Sequence, residues 1–162
     1  EVESVTGSVL HKLSDSDNQG NVFGNWEPEQ FTVEDSAFGF IKMKNGAVIE
    51  LESSWALNIL DGEEAKTTLC GTKGGADMKG GLRINCIHEN LPVVEIPDLS
   101  GGGVDFFSDG SKSAGDIEQE HFYDVVVNGR EQIVKPEQAL VVTRVLEAIY
   151  ESAKSGKTVY FS

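Results

Sequence analysis

Residues 38–55, "FGFIKMKNGAVIELESSW", hold two runs of alternating apolar and polar residues on either side of Asn45-Gly46. Alternation with period two is the mark of a half-buried strand, and Asn-Gly readily takes the positive φ angles of a two-residue turn. The stretch therefore predicts a β-hairpin of Phe38–Lys44 and Ala47–Trp55. Upstream, Val2, Val5 and Val9 stand among Ser and Thr and lead into Leu10-His11-Lys12-Leu13, which predicts a first strand of β-branched residues. A polar loop, roughly Ser14 to Gln30, separates it from the hairpin. Downstream, strands are expected over Ala65–Gly71, Leu82–His88 and Val93–Ile96, with Asn90 and Pro92 bounding the last two.

The period changes in the second half. Ser113 followed three residues later by Asp116 marks a helix start, Ile117, Phe122, Val125 and Val126 fall near one face, and Gly129 ends the pattern. Pro136 suits the first turn of a second helix in which Val142, Val145, Leu146, Ile149 and Ala153 recur at spacings of three and four, closed by Gly156. Thr158–Phe161 reads as a returning strand. Strands followed by helices and one last strand predict an α+β domain over residues 1–162, an open, mostly antiparallel sheet with its helices packed on one face. The other face must meet solvent or a partner.

Five glycines lie between Gly71 and Gly81, which raises the possibility of a phosphate-binding loop. Gly75 and Gly80 have the Walker interval, but Gly81-Leu82 stands where Lys and Ser or Thr are needed. Gly101-Gly102-Gly103 fails the dinucleotide pattern because Phe106 occupies the last glycine position. Residues 82–88, directly after Gly81, alternate like a strand, whereas an anion-binding loop must open a helix. The cluster is read as turn chemistry, and no cofactor-binding residue is assigned.

With 27 acidic and 13 basic side chains the formal net charge is −14, which repels nucleic-acid phosphates and anionic lipid, so neither nucleic acid nor membrane is expected as a partner. No apolar run approaches the roughly 20 residues that span a bilayer. Cys70 and Cys86 lie in apolar, strand-like context without metal-ligand spacing, which suggests buried, reduced thiols in a cytoplasmic protein. The chain opens on Glu1-Val2-Glu3 without an initiator Met, so it is expected to be part of something longer.

Few constellations suggest chemistry. Asp15, Asp17, Gln19 and Gly20 resemble the opening of a calcium loop, but Trp26 occupies the twelfth position where a bidentate Glu belongs, so no metal site is assigned. His121 on the first helix has no nucleophile context, and His11 and His88 fall in expected strands. Glu118, Glu120 and Asp124, like the carboxylates from Glu50 to Glu64, are too numerous for any pair to stand out, and no catalytic residue is assigned. Trp55 and Asn58, at the end of the second hairpin strand, are the candidate substrate-binding residues, because a strand end can hold an aromatic face and an amide against a small polar ligand.

Residues 31–58, "FTVEDSAFGFIKMKNGAVIELESSWALN", residues 71–75, "GTKGG", and residues 120–161, ending "LEAIYESAKSGKTVYF", together resemble the C-terminal α/β domain of the glucose-fructose oxidoreductase/inositol dehydrogenase/MocA family. The resemblance runs from about Glu1 to Phe161. It implies a parent enzyme that uses NAD or NADP to oxidise a sugar, cyclitol or similar polyol, with an N-terminal Rossmann domain as partner and a homo-oligomer formed through the open sheet. The family's Glu-Lys-Pro motif has only Val134-Lys135-Pro136 as an echo, and its Asp-x-x-x-His pair is not matched by Asp116 and His121. The resemblance therefore implies a segment that is inert alone and lines a substrate site. A free-standing scaffold or ligand-binding module is the alternative.

Overall fold

In a computed structural model the chain is described at residues 1–12, 27, 30, 32–54, 66–78, 80–97 and 113–162. Described residues form eight strands and two helices: β1 (Val2–Leu10), β2 (Ser36–Met43), β3 (Val48–Ser54), β4 (Thr68–Cys70), β5 (Gly74–Asp77), β6 (Arg83–His88), β7 (Leu91–Glu95), α1 (Ala114–Asn128), α2 (Pro136–Ser155) and β8 (Val159–Tyr160). They fall into two compact units, Glu1–Asn58 with Ile133–Ser162, and Ile59–Gln132. The expected α+β class with antiparallel strands holds, and the strands divide between two sheets of four, in the orders β3-β2-β1-β8 and β4-β5-β6-β7.

In the first unit α2 lies on one face of the sheet, chiefly over β1. Val2, Val5, Ile41, Ala148 and Ile149 form the buried core, with Val9, Met43, Leu51, Val145, Val159 and Phe161 packed around it. The closest approach is made at the facing pair Gly7 and Gly39. A Cβ on Gly7 would sit 2.7 Å from Ile149 Cγ2 and 2.9 Å from both the Cα and the carbonyl oxygen of Ile149, so only glycine lets the helix backbone come this near. Where β8 stops pairing with β1 at Val5, the helix takes over, because the Gly7 amide donates to Ser152 Oγ at 2.9 Å. Ser152 is correspondingly buried. The opposite sheet face carries Ser4, Thr6, Phe40, Lys42, Val48, Glu50 and Tyr160 in facing register, and Phe40 and Tyr160 are exposed.

Helix ends follow the expected signals. Ser113 and Asp116 cap α1 reciprocally, Asp116 N–H donating to Ser113 Oγ at 3.2 Å and Ser113 N–H to Asp116 Oδ2 at 2.9 Å. Gly129 and Gly156 terminate the two helices in left-handed conformation, with φ of 67° and 68°. Pro136 begins α2. The strands at both ends of the chain are shorter than expected, and His11 lies beyond the end of β1.

Two turns differ from expectation. At the β2–β3 hairpin only Gly46 has positive φ, 87°, and its amide donates to Met43 O at 2.9 Å. With Met43 N–H donating to Ala47 O at 2.8 Å, this is a type I turn followed by a glycine bulge, not the two-residue turn. The two-residue turn with both φ positive occurs at Glu89-Asn90, φ 48° and 64°, closing β6 onto β7. Pro92 lies inside β7 rather than before it, which is tolerated because β7 is an edge strand.

The glycine cluster was expected to be all turn, yet β5 runs through it. Gly80 and Gly81 do turn, with φ of 69° and 115°. Gly74 and Gly75 are strand residues, and a Cβ on them would lie 2.6 Å from Asn85 O and 2.8 Å from Leu69 O. Glycine here admits neighbouring carbonyls rather than supplying a bend. The cysteines, expected to be buried, are an exposed Cys70 and a half-exposed Cys86, both free thiols. They pair with Gly75 and Gly74, successive residues of β5, and so project from opposite faces of the sheet. Burial followed by the Glu95 carboxylate raises the Cys86 thiol above its usual value, against reactivity.

Candidate functional site

The polar centre of the first unit lies where β1 ends, β2 begins and β3 ends. Asp35 and Ser36 are buried to 3% and 2% exposure, although Asp is rarely buried without partners. The partners are there. Asp35 N–H donates to Leu10 O at 2.9 Å, and the Lys12 amide donates to Asp35 Oδ2. Ser36 Oγ donates to Asp35 Oδ1 at 2.9 Å, and Ser54 Oγ donates to Asp35 O at 3.1 Å. Ser36 Oγ and Ser54 Oγ lie 2.9 Å apart. Asp35 thus ties together three strand ends, two through its carboxylate and the third through its carbonyl, the local bonding that favours Asp and Ser at such positions.

Beside it, Tyr150 on α2 donates its hydroxyl to Glu34 Oε1, and His11 Nδ1 lies 3.1 Å from Val33 O. The Tyr150 hydrogen bond holds the Glu34 carboxyl below its usual range, and the same bond pushes the Tyr150 hydroxyl up. Ser36 commits its hydroxyl proton to a carboxylate and Ser54 to a carbonyl. This arrangement organises strand ends: the buried Asp35 carboxylate is taken up by the Ser36 hydroxyl and the Lys12 amide.

Trp55 and Asn58 lie outside the described residues, as do Asp15, Asp17 and the rest of the calcium-like loop. Ser54, the residue before Trp55, is anchored in the Asp35 cluster. His88 ends β6 and His121 sits in α1, as expected. Asp124 accepts from Asn128 Nδ2 at 2.8 Å and from Arg130 at 3.4 Å. A shallow depression lined by Gln119, Glu120, Tyr123 and Asp124 belongs to α1 alone and gathers no convergent groups. Among the described residues no three His, Cys, Asp or Glu side chains could hold a metal ion, and no helix is long and apolar enough to cross a membrane. Sequence reading passed over Asp35, Ser36 and Ser54; the available signal was a pair of short hydrogen-bonding side chains placed directly before an alternating strand.

Residues 1–161 match the profile of a protein family described as "Oxidoreductase family, C-terminal alpha/beta domain". The chain belongs to this family. D-glucoside 3-dehydrogenase of Escherichia coli (strain K12) is 28% identical over 158 residues, covering 98% of this chain and 42% of the relative. Among solved structures, the aldose-aldose oxidoreductase of Caulobacter crescentus complexed with glycerol superposes with a TM-score of 0.66 at 22% identity, over 99% of this chain and 42% of that one. An oxidoreductase from Agrobacterium radiobacter, in complex with NAD+, L-tartaric acid and magnesium, gives 0.60 at 21%, over 99% and 43%. These structures share the fold. The family member described here spans about two fifths of the length of these relatives.

Proposed function

We propose that residues 1–162 act as one domain, the substrate-side and subunit-contact half of a cytoplasmic NAD- or NADP-dependent oxidoreductase that oxidises a sugar, cyclitol or similar polyol. The observation that carries this reading is the family match over residues 1–161, joined to the 28% identity with a D-glucoside dehydrogenase. Hydride transfer needs a nicotinamide held against the substrate carbon and a group that takes the hydroxyl proton. This chain has no glycine fingerprint for the dinucleotide. A Rossmann domain supplies the coenzyme and the proton acceptor, and this domain supplies one wall of the site.

Trp55 and Asn58 contribute to that wall, offering an aromatic face and an amide to a small polar ligand. The chain enters this segment from Ser54, whose hydroxyl is fixed on the Asp35 carbonyl at 3.1 Å, so the strand end is rigid where the wall starts. Subunits meet through the open sheet face carrying Phe40, Lys42 and Tyr160, where the Lys42–Glu3 ion pair of 2.8 Å keeps the lysine charge compensated.

The test is kinetic, in the polypeptide that joins this chain to its dinucleotide-binding domain. Trp55→Ala and Asn58→Ala should raise KM for the polyol about tenfold while KM for NAD+ stays within twofold, the signature of lost substrate binding. Unchanged KM for every sugar, cyclitol and polyol the enzyme oxidises removes these residues from the wall.

A further inference from the structure

The chain contains two Asn-Gly pairs, Asn45-Gly46 and Asn128-Gly129. In such a pair the backbone nitrogen of glycine can attack the asparagine Cγ, since no Cβ on the following residue blocks the approach. The structure treats the two differently. Asn45 sits exposed at the tip of the β2–β3 hairpin. Its Oδ1 accepts from the Ala47 amide at 3.1 Å, which polarises Cγ toward attack, and among the described residues its Nδ2 donates no hydrogen bond. The nucleophile, Gly46 N–H, is held by one turn bond to Met43 O at 2.9 Å, and Gly46 is itself exposed.

Asn128 is restrained at both reacting atoms. Its Nδ2, the nitrogen that would leave, donates to Asp124 Oδ1 at 2.8 Å. The Gly129 amide is the cap donor to Asp124 O, and the Asp124 carboxylate stands beside the centre that would become anionic. Ring closure at Asn128 therefore breaks one hydrogen bond more than at Asn45, and meets charge repulsion as well.

The geometry points to Asn45 as a site of spontaneous self-modification. Gly46 N bonds to Asn45 Cγ, the Cγ–Nδ2 bond breaks, and ammonia departs with the former Gly46 amide proton. Water then opens the cyclic imide at either carbonyl, leaving aspartate or isoaspartate. Each product carries one negative charge, next to the Lys44–Glu1 ion pair of 3.0 Å. Isoaspartate also adds a backbone methylene to the turn that sets the register of β2 with β3.

The experiment is incubation of the folded chain in warm, mildly alkaline buffer, with tryptic peptides followed by mass spectrometry and sites assigned by fragmentation. Peptide 45–66 should gain the deamidation mass at Asn45 at least about fivefold faster than peptide 113–130 gains it at Asn128, the ratio one extra hydrogen bond sets. In urea the two rates should converge, and Asp124→Asn should accelerate Asn128 in the folded chain. Equal folded-state rates, or a difference that survives in urea, overturns the inference.

Discussion

Replacing Gly7 by alanine tests how α2 is seated. The added Cβ would meet Ile149 Cγ2 at 2.7 Å and the Ile149 Cα and carbonyl oxygen at 2.9 Å each. Comfortable carbon contacts lie at about 3.5–4.0 Å, so the deficit is about 0.6–1.3 Å. Two of the three atoms are helix backbone and cannot rotate away. The helix must lift, which loosens the packing of Ile149 and stretches the Gly7–Ser152 bond of 2.9 Å. Overpacking costs about 1–3 kcal/mol and the lost bond about 1 kcal/mol, while restricting the unfolded chain returns about 0.4–1 kcal/mol. The net is a loss of about 1–3.6 kcal/mol, centred on about 2 kcal/mol. Gly39→Ala should cost about 1 kcal/mol, because its Cβ meets only side-chain atoms, Ile149 Cδ1 at 2.7 Å and Cγ1 at 3.2 Å and, in ordinary contact, Ile41 Cδ1 at 3.5 Å. Urea denaturation followed by circular dichroism reads both. Adding Ile149→Val, which deletes Cδ1, should relieve Gly39→Ala but not Gly7→Ala. Equal costs for the two glycines, or relief of Gly7→Ala by Ile149→Val, would refute the seating described.

Two further outcomes concern the same unit. Ser152→Ala removes the acceptor of the Gly7 amide at a buried position and should cost about 1–3 kcal/mol in the same assay, whereas Ser155→Ala on the next turn should cost under about 0.5 kcal/mol. The Glu34–Tyr150 contact should show in the pH dependence of stability. Glu34 is depressed from 4.5, so its contribution is present above that value and is lost as pH falls through the lower folded value. Tyr150 is raised from 10.0, so its contribution is present below that value and is lost as pH rises through the higher folded one. The stability difference between the native chain and Tyr150→Phe should therefore be largest between these limits and shrink outside them; a difference that is flat with pH contradicts it.

Helix boundaries were legible in the sequence because capping is local. Ser113 with Asp116, Pro136, Gly129 and Gly156 need only their own turns to act, and all four signals stand where expected. The hairpin was legible from alternation, but its turn type was not, since Asn45-Gly46 is compatible with a two-residue turn and with the glycine bulge it makes. β5 was hidden because glycine reads as punctuation, whereas Gly74 and Gly75 are required by carbonyls of Asn85 and Leu69 that only the paired strands bring close. Asp35 was passed over among 27 acidic residues, and its distinction is burial between strand ends far apart in the chain. Gly7, Gly39 and Ile149 likewise reveal their fit only once the helix lies on the sheet.

The central claim is that this domain forms a wall of a polyol site and does not hold the coenzyme. Isothermal titration of the purified chain with NAD+, NADH, NADP+ and NADPH tests it most directly. The account predicts no saturable binding up to millimolar coenzyme, together with restored binding when the dinucleotide-binding domain is present. Saturable micromolar binding of any of the four by this chain alone would contradict it.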